Sequence, residues 1–113
     1  MSKNIETVLA NLGAKEMRFV DVIAYIEERY IHTATAFNNG SVQNEATQNQ
    51  GSAKVFAFAA LNQLSKEDTL LLFAEHYQSV LDSPDAHDHQ NIRQFMIHGW
   101  DGIKFEGEAL QAK

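Results

Sequence analysis

The sequence predicts a mainly α protein: a compact single domain spanning 1–113, with about five helices, a long ordered polar loop and a short extended C-terminal segment. Three observations predict it. Apolar residues recur at helical spacing in five stretches, carboxamides crowd one stretch without hydrophobic period, and only Ile103 and Phe105 alternate as in a strand. A chain of 113 residues is long enough to bury one core.

Taken in order, Ile5, Val8, Leu9 and Leu12 give a first helix over 3–12, with Gly13 placed as a left-handed cap. Phe19, Val22, Ile23, Ile26 and Tyr30 give a second helix over 16–30, whose wet side carries Glu27, Glu28 and Arg29. Positions 31–51 show no period and read as an irregular loop with a short helical turn near 42–47; loops of this length are either functional or disordered. Gly51-Ser52 then offers an N-cap to a central third helix carrying Val55, Phe56, Ala59 and Leu64, with Phe58 on a further buried side. Ser65-Lys66-Glu67-Asp68 resembles a capping box and opens a fourth helix over 66–81, striped by Leu70, Phe73, Ala74, Tyr77 and Leu81. Pro84 forbids its continuation. Asp88 is placed to cap a fifth helix with Ile92, Phe95 and Met96 on one face, ending at Gly99.

Composition narrows the function classes. The net charge of −6 and the lack of any basic run disfavour nucleic acid, and the absence of cysteine removes disulfides and thiol catalysis. No signal peptide or membrane-spanning run is read, so the expected location is cytoplasmic, with secretion through a type III system as the alternative.

The polar loop is the first candidate site. Asn38, Asn39, Gln43, Asn44, Gln48, Asn49 and Gln50 lie between Phe37 and Gly51, beside the single charge of Glu45. Each carboxamide both donates and accepts, so Asn38, Asn44 and Asn49 can either pin the loop's own backbone or line a pocket for a neutral polar ligand. Ser52 and Lys54, at the start of the third helix, suit an anion at its positive end, against the alternative of an ordinary cap and a solvated lysine. Asp85, His87, Asp88 and His89 supply metal-type donors, but without convergent spacing, and neither a metal nor a cofactor is expected. His89 and Arg93 share a helix face, where Arg93 can grip an anion or pair with a nearby carboxylate. Trp100 between two glycines can stack on a ligand or anchor the core. His76 reads as a half-buried helix histidine, and no pair of residues singles itself out for acid–base catalysis.

The segments FNNGSVQNEATQNQGSAKVFAFAAL (37–61), TLLLF (69–73) and HDHQNIRQFMIHGWDGIKFEGEAL (87–110) together resemble the HopJ type III effector protein family. The resemblance spans roughly 19–110. It departs from the family pattern at Ala34, Thr47 and Ala53, where Pro, Gly and often Cys are usual, and matches it at Phe37, Asn38, Gly40, Asn44, Asn49, Gly51, Ser52, Lys54, His89, Asn91, Arg93, Gly99 and Trp100. It implies an effector-type protein without naming a reaction. The expectation is therefore one polar concavity built from Asn38, Asn44, Asn49, Ser52, Lys54, His89, Asn91, Arg93 and Trp100, taking a small polar or anionic ligand. The rivals are a protein-interaction module acting on a host partner, and an uncharacterised hydrolase using His89.

Overall fold

The computed structural model describes residues 5–113. The expected start of the first helix at position 3 lies outside them. In chain order the elements are α1 (Ile5–Gly13), α2 (Phe19–Arg29), β1 (Tyr30–His32), β2 (Phe37–Asn39), β3 (Val42–Asn44), α3 (Gln50–Leu61), α4 (Lys66–Leu71), α5 (Glu75–Asp82), α6 (Gln90–His98), a 3-10 turn (Gly99–Gly102), β4 (Ile103–Phe105) and β5 (Leu110–Ala112). The described residues thus form six α-helices and two small antiparallel sheets, where the sequence predicts about five helices and one extended tail.

The core is built on α3. Ala53, Val55, Phe56, Ala57, Phe58 and Ala59 are all buried, so this helix is covered on several sides, as its second apolar face predicts. Phe56 sits among the rings of Phe37, Phe73, Phe95 and Trp100, with centroid separations of 5.0–6.5 Å. Phe58 receives Tyr25 and Tyr30 edge-on from the other side.

Four expectations are corrected. The helix expected over 66–81 is two helices: the chain breaks at Leu72–Ala74, where Ala74 takes φ 52°, ψ −122°, a region L-residues rarely adopt. The apolar stripe hides this break, because Leu70, Phe73, Ala74, Tyr77 and Leu81 keep helical spacing across it. The loop expected over 31–51 holds three short strands, and 42–44 is strand rather than helical turn. β2 lies between β3 and β4, with Phe37 opposite Asn44 and Phe105, while β1 pairs with β5 through Ile31 and Gln111. The left-handed residue ending α1 is Lys15 (φ 62°), not Gly13, and the Glu16 N–H closes the end by donating to the Asn11 carbonyl. Finally, α3 and α6 are capped by Asn49 and His89 rather than by Ser52 and Asp88.

Gly40 and Gly102 meet where the β2–β3 turn crosses the segment after α6, with the Gly40 N–H donating to the Gly102 carbonyl at 3.0 Å. Gly40 has φ 59°, and a Cβ there would strike Gln94 and His98, so a side chain is excluded on both counts.

Candidate functional site

Most of the carboxamides bond to one another and to backbone. Asn44 and Asn91 exchange hydrogen bonds through both amides, Asn91 Nδ2 to Asn44 Oδ1 at 3.0 Å and Asn44 Nδ2 to Asn91 Oδ1 at 3.1 Å. Asn39 Nδ2 donates to the Asn91 carbonyl (2.7 Å) and to Asn91 Oδ1, and Asn49 Nδ2 donates to Asn44 Oδ1 (2.6 Å). This net ties β2, β3, the start of α3 and the start of α6 together. Within it, Asn39 Oδ1 is the buried side-chain acceptor without a partner among the described residues. Gln50 does the same work beside it, accepting from the Thr35 N–H and donating to the Thr35 and Gln48 carbonyls. Its Oε1 also meets His32 Nε2 at 3.1 Å; burial lowers the pKa of that imidazole despite the bond.

The net brings the N-termini of α3 and α6 to the walls of one cavity of about 420 Å³. Asn49, Gly51 and Ser52 contribute from α3; His89, Gln90, Asn91 and Ile92 from α6; Phe19, Val42, Phe73 and His76 complete it. Asn49 and His89 are both left-handed, at φ 51°, and neither side chain accepts a hydrogen bond from the helix it opens. In α3 the first intrahelical bond belongs to Ala53 N–H, which leaves the preceding N–H groups of the first turn as open donors. Ser65 at α4 shows the contrast, since its hydroxyl accepts from the Asp68 N–H at 3.1 Å.

His76 and His89 face each other with ring centroids 5.1 Å apart, and Phe19 stacks edge-on against His76 at 4.8 Å. The Ala74 break positions His76: it ends α4 and restarts the chain as α5 one residue before Glu75. Glu75 in turn accepts from the Phe19 N–H at 2.7 Å, fastening α2 beside the cavity. Partial burial pushes this carboxyl up, but the N–H bonds and Arg18 outweigh it and hold the pKa below the usual value.

The expected site residues divide accordingly. Asn49, Ser52, His89 and Asn91 line the cavity, and Asn44 supports two of them from behind. Asn38 is exposed on β2 opposite Gln43 and Lys104. Lys54 pairs with Glu27 at 3.4 Å on the α2 side. Arg93 binds inward to its own loop, donating to the carbonyls of Ser83 (2.9 Å), Pro84 (3.1 Å) and Asp88 (2.6 Å) and to Asp88 Oδ1 (2.7 Å). That last bond holds the Asp88 carboxyl below the usual carboxylate range. Trp100 donates to the Leu64 carbonyl at 3.1 Å and packs edge-on against Phe95. Sequence reasoning passed over His76, Phe19 and Phe73 as site residues, because their stripes announce core and only the fold sets them opposite α6. Among the described residues no group of three His, Cys, Asp or Glu is placed to hold a metal ion, and no helix is long and apolar enough to cross a membrane.

Residues 5–110 match the HopJ type III effector protein family, and the chain belongs to it. The crystal structure of VPA0580, a protein of unknown function, superimposes with a TM-score of 0.89 at 46% sequence identity, covering 100% of this chain and 97% of that one. No curated protein matches the chain.

Proposed function

We propose that this HopJ family member binds a small polar or anionic ligand in the cavity between the N-termini of α3 and α6. One observation carries the reading: two helix N-termini, each without a side-chain cap, open on the same cavity. Each helix start bears roughly half a positive charge, and its unused N–H groups favour an anion. Ser52 and the imidazoles of His76 and His89 add side-chain donors around it, while Phe19, Phe73 and Ile92 supply an apolar wall. Left-handed backbone at Asn49 and His89, both lining this space, supports the same reading, since such conformations are retained where a site needs them.

The test is thermal unfolding of the protein against metals, chelator, sugars, amino acids, carboxylates and phosphorylated compounds. A ligand at ~100 times its Kd stabilises by about 2.7 kcal/mol, enough to raise Tm by roughly 10 °C. An anion that gives this shift, and gives a smaller one in Ser52→Ala or His89→Asn, upholds the site. A panel flat across every anion overturns it.

The family's description favours a second reading, a type III effector acting on a host protein. Fusing the first 30 residues to a translocation reporter tests delivery. Transport dependent on a type III system supports this reading, and retention in the cell counts against it.

A further inference from the structure

The described residues lining the cavity include no Lys, Arg, Asp or Glu, so the charge inside it is set by the two imidazoles. The charged groups around the pair are already matched. Glu75, beside His76, has Arg18 3.6 Å from its carboxylate and accepts the Phe19 N–H. Asp88, 4.0 Å from His89 Nε2, has Arg93 at 2.7 Å. With both carboxylates engaged by guanidinium groups, the cavity holds two positive helix ends and two facing histidines. The two rings face each other at 5.1 Å between the helix starts, so an anion seated there meets both imidazoles and both N-termini.

We propose that the ligand is a phosphate monoester carrying a small apolar group, and that it is captured together with a proton on the His76–His89 pair. This deepens the anion-site reading and rests on it. A phosphate monoester fits better than a carboxylate because the lining brings donors from three elements: the α3 start with Ser52, the α6 start with His89, and His76 on α5. Three terminal oxygens can meet all of them, and two cannot. The ester's organic group lies against Phe19, Phe73 and Ile92. Binding and protonation are then linked, so affinity falls as the solution becomes too alkaline to supply the proton.

Isothermal titration calorimetry with phenyl phosphate and with benzoate, at pH 7 and pH 9, tests this. The phosphate monoester has a second pKa of ~6, so it is a dianion at both values and any change belongs to the protein. The expected result is tighter binding of phenyl phosphate than benzoate at pH 7, proton uptake seen as a buffer-dependent heat, and affinity at least tenfold weaker at pH 9. His76→Phe, which keeps a ring against Phe19, and His89→Asn, which keeps a residue tolerant of left-handed backbone, should each flatten the pH dependence. Equal affinity at the two pH values, or a preference for benzoate, overturns the proposal and leaves an anion site standing. No binding of either probe at either pH overturns both.

Discussion

Two polar regions lie side by side in this protein and use the same kinds of groups in opposite ways. In the amide net, Asn44 and Asn91, both buried, bond to each other, and the more exposed Asn49 donates to Asn44. Beside it, the first turns of α3 and α6 line the cavity with no side-chain cap on their N–H groups. A run of carboxamides therefore marks the scaffold, whereas the cavity is bordered by helix starts that no side chain caps. The net is what makes the cavity possible, since Asn44 connects the cap of α3 to the first turn of α6.

The largest expected effect comes from breaking the net. Asn91→Leu removes the side-chain amide that bonds Asn44 in both directions and Asn39 Nδ2, leaving buried polar groups under-satisfied while the carbonyl at 91 stays. It should cost about 3 kcal/mol or more, read as a fall in Tm of roughly 10 °C or beyond. A variant as stable as the parent would mean the amides are not structural. Next is Arg93→Ala, which frees the 83–88 turn from three carbonyl bonds and should cost about 1–2 kcal/mol in chemical denaturation, without abolishing ligand shifts. Loss of binding with full stability would transfer Arg93 from scaffold to site. Ala74→Gly relieves a backbone conformation that only glycine adopts easily, and should raise stability by about 1 kcal/mol. Ser52→Ala touches only the open region, so it should change stability by less than about 0.5 kcal/mol while weakening anion binding.

Acidification sharpens the same contrast on the scaffold side. His32 and Glu75 both have lowered pKa values in the folded protein. A depressed folded pKa contributes stability that is present above the unfolded value and lost as pH falls through the folded one. Tm should therefore decline first just below the ordinary histidine range, as His32 charges in its partly buried place. It should decline again below the ordinary glutamate range, as Glu75 lets go of the Phe19 N–H. The second step should shrink in Glu75→Gln.

Much of the helical frame was legible because burial imposes a period. Val22, Ile26 and Phe56 lie where their spacing places them, and Ser65 caps α4 as its sequence implies. β4 was legible from the alternation of Ile103 and Phe105, but the other strands were not, because each is three residues long, and two of the pairings join segments far apart in sequence. The start of α3 was misplaced because Asn49, not Ser52, takes the left-handed turn, and that choice is stabilised by Asn44. For the site, Asn49, Ser52, His89 and Asn91 could be singled out from their residue chemistry. Lys54 and Trp100 could not be separated from them, since an ion pair to Glu27 and a bond to the Leu64 carbonyl depend on tertiary neighbours. His76 opposite His89 is visible only once the chain has turned at Ala74 and Pro84.

The most direct test of the account is amide NMR during titration with phenyl phosphate, following the backbone N–H signals of Gly51, Ser52, Gln90 and Asn91. The account predicts that signals from both helix starts shift together along one binding curve, while Asn38 and Lys54 stay in place. Shifts confined to one helix, or centred on the Asn38 or Lys54 faces, would contradict the claim that α3 and α6 share a single anion.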